Sequence, residues 1–223
     1  MITTKKILVN YDDNPSFEIH FKFDLVEEVE SEGMKVVIGN NEQFGNMLFI
    51  NDEIQATEYD TKIYHDAVAK HIGDNDSVLI VGDGDGGFTH YPWSKNAVVI
   101  ERSKLIMDLS EKYLDANWNN VKEICCIDFK DYVFKEKYDV IIFAVSDDFN
   151  RNGVREFCKK AIANLNKGGK LIAQVGSTFD IEAIPVVVEY TNIGKILFPT
   201  CCFEKTYVPS FFCEEIFFIG TIE

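Results

Sequence analysis

The stretch Val78–Gly87, reading VLIVGDGDGG, sets the tightest limit on what this chain can fold into. An apolar run of single-strand length feeds straight into a glycine-rich turn. About 20 residues later a second apolar run, Val98-Val99-Ile100, ends on Glu101. In a doubly wound α/β sheet this spacing places a flexible turn at the carboxyl end of the first strand. It also places an acid at the end of the second, where a ribose could be held. Asp83 and Asp85 lie inside the turn. A pyrophosphate cradle works through backbone N–H groups and avoids negative charge near the anion. Two carboxylates there argue against a dinucleotide and for a ligand with positive charge.

The rest of the chain supplies the frame for that turn. Up to about residue 57 the pattern is β: Lys6–Asn10, Phe17–Val26, Lys35–Ile38 and Asn46–Ile50 are short runs rich in Val, Ile and Phe. Tyr11–Pro15, Gly39-Asn40-Asn41 and Asn51-Asp52 break them. From Thr57, a candidate cap, the period turns helical, with Tyr64, Val68 and Ile72 on one face before Gly73. Strands and helices then alternate. Strands are expected at Val78–Val81, Ala97–Ile100, Val121–Ile127, Lys137–Ala144 and Lys170–Val175. Helices are expected at Lys104–Ala116, at Asn152–Asn166 (stopped by Lys167-Gly168-Gly169) and at Phe179–Tyr190, where Pro185 limits regularity. Thr200–Ile222 suits a β-hairpin. This order means a parallel sheet with right-handed crossovers. It divides the chain into an N-terminal β domain, residues 1–57, and an α/β domain, residues 58–223.

Composition narrows the function classes. A formal net charge of −15 gives no basic surface for a nucleic acid, and an acidic surface attracts cationic small molecules. No apolar run approaches the ~20 residues of a membrane helix, and the first residues lack the apolar core of a signal peptide. Six cysteines include two adjacent pairs, Cys125-Cys126 and Cys201-Cys202, but no C-x-x-C. They read as core filling in a reducing cytoplasm. The four histidines lack zinc-site spacing, so no metal is expected.

Six segments in order resemble the polyamine aminopropyltransferases, the spermidine synthase family. Gln55-Ala56-Thr57-Glu58-Tyr59-Asp60, followed by Tyr64-His65, is similar to the family's Q-x-T-E-x-D…Y-H/Q segment. GDGDGG, Gly82–Gly87, resembles its GGGDGG loop, with Asp83 in place of a glycine. Val99-Ile100-Glu101 resembles its ribose-binding strand end. Cys126-Ile127-Asp128 sits where the family has G-D-G. Tyr138–Ile142 matches its fourth strand, and Thr206-Tyr207-Val208-Pro209-Ser210 resembles its terminal T-Y-P-S-G. The resemblance implies a Rossmann-like, class I methyltransferase-type parallel sheet after a small antiparallel β domain. It implies aminopropyl transfer from decarboxylated S-adenosylmethionine, a co-substrate and not a cofactor, to an amine such as putrescine. It also implies a homodimer or homotetramer. By the same resemblance Gly82, Gly84 and Gly86 form the nucleoside loop. Glu101 holds the ribose, Asp128 the adenine amino group and Asp85 the primary ammonium of the aminopropyl arm. Gln55 and His65 line the donor site, Tyr64 orients the attacking amine, and Tyr207 closes the polyamine end.

The departures fall on the amine half. The family's fourth strand ends in D-S-S-D, whose first Asp helps take the proton from the amine. Here the chain reads Ala144-Val145-Ser146-Asp147-Asp148, with Ala144 at that first position. Asp147 is then the expected base and Asp148 a substrate-binding acid. Phe129 replaces a glycine and is expected to crowd the backbone, Ser103 replaces an acid, and Met34 replaces a glutamine. Two other readings share the scaffold: a methyltransferase using S-adenosylmethionine, and a catalytically impaired homologue that binds a nucleoside or polyamine.

Overall fold

The structure, a computed structural model, describes residues 3–9, 19–31, 33–145, 147–178 and 183–223; the side chains of residues 8, 9 and 147–153 lie outside that description. The expected break at Tyr11–Pro15, the strand start at Phe17 and the helix start at Phe179 therefore fall outside the described residues.

The first sheet is an antiparallel meander in the order β1 (Thr4–Val9), β2 (Ile19–Ser31), β3 (Met34–Asn41), β4 (Gly45–Ile50) and β5 (Glu53–Thr57). The Asn51-Asp52 break is a two-residue hairpin turn with both φ angles positive, at 51° and 67°. It leads into β5, which the sequence pattern did not pick out as a strand of its own. Thr57 consequently ends a strand and does not cap the helix; α1 (Thr61–Ala69) begins after Asp60. Both faces of this sheet carry buried side chains. Phe21, Phe23 and Phe49 pack on one face, with Phe23 stacked on Phe49 at 5.2 Å between centroids. Val36, Ile38, Leu48 and Ala56 on the other meet Ile106, Leu109 and Leu114 of the second unit.

The second sheet runs β11-β12-β10-β9-β6-β7-β8. Its parallel part comprises β6 (Val78–Val81), β7 (Ala97–Ile100), β8 (Glu123–Cys125), β9 (Tyr138–Phe143) and β10 (Leu165–Ser177). β11 (Thr200–Val208) and β12 (Cys213–Thr221) form the expected hairpin, antiparallel to the rest. Every residue of β6 and β7 is buried. Parallel strands covered on both faces need unbroken apolar runs, which is why these two were legible without alternation. One face packs on α3 (Asp147–Ala163) and α4 (Ala183–Leu197) through Val154, Phe157, Ala161 and Tyr190. The other packs on α1 and on Phe88 and Trp93.

Helix limits shift in physically ordinary ways. α2 (Lys104–Tyr113) stops short of Ala116 and is capped by Ser103, whose hydroxyl accepts from the Ile106 N–H at 3.3 Å. α3 starts at Asp147, earlier than Asn152, and β10 already includes the Lys167-Gly168-Gly169 stop. α4 runs past Tyr190 to Leu197 because Pro185 falls in its first turn, where a missing N–H costs nothing. One cysteine of each pair fills the core: Cys125 and Cys201 are half-buried and pack against it, whereas Cys126 and Cys202 are exposed. No described helix is long and apolar enough to cross a membrane.

Candidate active site

The strand order reverses around β6, which has β7 on one side and β9 on the other. Ligands of open α/β sheets bind beyond the carboxyl ends of strands at such a point. The glycines of the β6 loop bring its neighbours close. Gly82, at φ +87°, donates its N–H to the Ile100 carbonyl at 2.9 Å, and a Cβ there would stand 2.5 Å from the Ala144 carbonyl oxygen. A Cβ on Gly84 would lie 3.1 Å from Glu101 Oε2, so the loop lies directly against that carboxylate. Gly86, at φ +71°, closes a turn onto the Asp83 carbonyl at 3.0 Å. Glu101 is fixed by the Ser103 N–H, which donates to its Oε1 at 2.8 Å. Burial raises the Glu101 pKa, with that N–H opposing the shift.

Helix α1 aims His65 into the same loop. Its Nδ1 lies 2.6 Å from the Thr61 carbonyl oxygen one turn earlier, so that nitrogen donates. Its Nε2 lies 3.5 Å from Asp85 Oδ1 and 3.6 Å from Asp83 Oδ1. The Thr61 hydroxyl donates to Asp85 Oδ2 at 3.2 Å. Gly87 leaves the space the ring needs, since a Cβ there would sit 2.1 Å from His65 Cε1. Phe88 closes the other side, its ring edge-on at 4.4 Å. The Asp85 side chain keeps 19% of its surface exposed, whereas that of Asp83 is fully buried. These three side chains form the one group of three potential ligand atoms within 4.8 Å of one another among the described residues. Motif spacing could not reveal it, because its members come from a helix and a loop.

Electrostatics follow from that packing. Burial alone would strip the proton from His65, but Asp85 and Asp83 outweigh it and push the pKa up to about 10. For Asp85, burial is outweighed by the His65 charge and by hydrogen bonds, and its pKa is lowered. Burial dominates at Asp83, where the pKa rises to about 7. A folded-state histidine pKa above the ordinary 6.5 adds stability that is fully present below pH 6.5 and is lost as pH rises through about 10. Asp83 acts in the same direction between 3.8 and about 7. Melting temperature is therefore expected to fall from pH 6.5 to about pH 10, and His65→Gln to flatten that fall; a melting temperature that rises over this window contradicts the arrangement.

The other expected residues divide. Tyr64 is half-buried, with its ring against His65 at 5.1 Å and Phe217 at 5.2 Å. Asp128 follows β8, and its Oδ1 accepts from the Lys130 N–H at 2.8 Å in a local turn. Phe129 does not crowd that backbone; it is buried in the core against Phe143 and Phe157. Gln55 is exposed on β5 and donates to the Glu53 carbonyl of its own strand at 3.4 Å. Tyr207 stands on the edge strand β11, 55% exposed. Asp147 and Asp148 open α3, and their side chains lie outside the described residues.

A latch at the junction was not foreseen. Asp60 accepts from the Thr57 hydroxyl at 2.6 Å, from the Ser210 N–H at 2.6 Å and from the Ser210 hydroxyl at 3.1 Å. This buried carboxylate ties the end of the first sheet to the turn between β11 and β12. Its signal was available: Thr57, Asp60 and Ser210 all stand inside the recognised segments.

The spermine/spermidine synthase domain matches residues 56–221. The chain belongs to that family. A polyamine aminopropyltransferase of Buchnera aphidicola from Acyrthosiphon pisum is 30% identical over 197 residues, covering 80% of this chain and 68% of the relative. One from Pyrobaculum calidifontis is 27% identical over 215 residues, covering 84% and 72%. Among solved structures, a spermidine synthase in complex with the transition-state analogue AdoDATO matches at TM-score 0.83 and 22% identity, covering 98% of this chain and 80% of its own. The spermidine synthase of Thermotoga maritima matches at TM-score 0.77 and 21% identity, covering 98% and 79%. These two likenesses carry the fold; the family domain and the curated relatives carry the membership.

Proposed function

We propose that this family member transfers the aminopropyl group of decarboxylated S-adenosylmethionine to a polyamine acceptor such as putrescine, giving spermidine and 5′-methylthioadenosine. The observation that carries this reading is the partly open Asp85 carboxylate, held near half-buried Glu101 at the strand reversal. A carboxylate there pairs with a primary ammonium and, by like charge, repels the carboxylate of intact S-adenosylmethionine. That weighs against a methyltransferase. Glu101 holds the ribose hydroxyls through the oxygen next to Gly84, and Asp128 accepts from the adenine amino group. The acceptor nitrogen forms a bond to the carbon next to the sulfonium as the carbon–sulfur bond breaks; the sulfur leaves as a neutral thioether and the nitrogen sheds a proton. Alignment and deprotonation of the amine therefore set the rate.

Tyr64 orients that amine, and Tyr207 and Asp148 bind its far end. In our reading Ala144, just past the end of β9, takes the place of the family's base, and Asp147 takes the proton instead. The reaction needs no cofactor. We place it in the cytoplasm, in a homodimer or homotetramer, with a small cationic amine as partner.

An assay of pure protein with decarboxylated S-adenosylmethionine against a panel of diamines and triamines tests this. Formation of 5′-methylthioadenosine supports the reading; no product across the panel ends it. Ala144→Asp then tests the base. If Asp147 serves, wild-type turnover is already present and the variant gains less than about tenfold, well short of the 10²–10⁴ that a positioned base contributes. A gain from near zero to robust turnover would show instead a disabled enzyme.

A further inference from the structure

Asp83 has no part in the proposed reaction, and a glycine is expected at its position. It is nonetheless 1% exposed, in contact with His65, and its Oδ2 has no hydrogen-bond partner. A buried, half-satisfied carboxylate is costly, so the loop needs a reason to keep it.

The reason lies in the His65 ring. With Nδ1 donating to the Thr61 carbonyl, Nε2 faces one oxygen of Asp83 and one of Asp85. A bare lone pair on Nε2 would meet two carboxylates at 3.5 and 3.6 Å, too close to admit a water; a proton there turns both contacts attractive. We propose that Asp83 is a positioning residue that acts through His65: it keeps the ring protonated and turned so that the Nε2–H holds the Asp85 carboxylate in place for a cationic ligand. The ring is pinned on its remaining sides by Tyr64, by Phe88 and by the room Gly87 leaves. The other charged or titratable groups nearby are Asp66 on α1, which is paired with Lys62 and Tyr91, and Glu101 beyond Asp85. Of these, Asp66 also favours a cation at His65, but from outside contact with the ring. Asp83 and Asp85 are the two acids in contact with it, and only Asp83 is closed off from solvent.

The test is the side-chain ¹⁵N shifts of His65 in the full unliganded chain, titrated from pH 6 to pH 11 in wild type, Asp83→Asn and Asp83→Gly. Wild type is expected to hold both ring protons past pH 8. Both variants are expected to lose the Nε2 proton about one to three pH units lower, the range for removing one close opposite charge. A midpoint unchanged in both variants overturns the proposal, as does a neutral ring in wild type at pH 7. Asp83→Gly guards against a folding failure of the amide variant, because glycine fits any backbone angle. A second readout rests on the proposed reaction: the alkaline limb of kcat/KM for the decarboxylated donor shifts down by the same interval in the variants, and a limb that stays put counts against the role. The titration needs no turnover, so a failed assay leaves it decisive and identifies the reaction, not Asp83, as the fault.

Discussion

Asp85→Asn is expected to lower kcat/KM about 10²–10³-fold, with most of the loss in KM for the decarboxylated donor. Three groups already direct charge or hydrogen bonds at this carboxylate: His65 at 3.5 Å, the Thr61 hydroxyl at 3.2 Å and the Gly87 N–H. They hold its pKa low, so it is ionised when a cationic arm arrives. The asparagine keeps the shape and removes the charge. It leaves an incoming ammonium facing an imidazolium with no anion between them except Asp83. Truncating one partner of a desolvated charge pair typically costs about 2–5 kcal/mol, or about 30- to 5,000-fold, and the predicted loss lies in the middle of that range. Initial rates of 5′-methylthioadenosine release at saturating and limiting donor read the effect. A change smaller than about fivefold would mean that the ammonium lies elsewhere. Binding of 5′-methylthioadenosine, which lacks the cationic arm, is expected to change far less, because Glu101 and the glycine backbone stay in place.

Gly82→Ala is expected to cost about 2–5 kcal/mol of stability, combining overpacking and left-handed backbone strain. Gly82 sits at φ +87°, and its Cβ would lie 2.5 Å from the backbone oxygen of Ala144. No rotamer change can relieve a clash with a main chain, so either β6 and β9 separate at their carboxyl ends or the loop moves. For a chain of this size the loss lowers the melting temperature by roughly 4–20 °C. Gly168→Ala is the control: it has a comparable φ of +77° but nothing within 4 Å of the added carbon. It carries only the backbone strain of about 1–2 kcal/mol. Calorimetric melting of the pair separates the two contributions. Equal losses would show that the close approach at Ala144 does not matter.

The parallel strands and the loop were legible because their cause is local. A strand buried on both faces must be apolar throughout, so Val78–Val81 and Ala97–Ile100 announce themselves, and a left-handed turn at Gly82 or Gly86 strongly favours glycine. β5 was hidden for the opposite reason. Its five residues bury only Ile54, Ala56 and Thr57, too short a pattern to stand out as a separate strand. Ser103 reads as a lost acid in the sequence, yet it caps α2 and its N–H fixes Glu101.

What the sequence by itself determined is the alternation of strands and helices, the place of the glycine loop and its partner acid, and a family pattern spread over ordered segments. These follow from periodicity, backbone freedom and residue type, each a property of neighbours along the chain. The tertiary structure alone decided which acids carry charge and what holds them. Asp60 and Ser210 meet across 150 positions, and His65 reaches between Asp83 and Asp85 only because α1 packs beside the loop where Gly87 leaves room. Burial and counter-charge are set by neighbours in space. Two aspartates that look equivalent in GDGDGG therefore become one partly open carboxylate and one enclosed carboxylate, both facing His65.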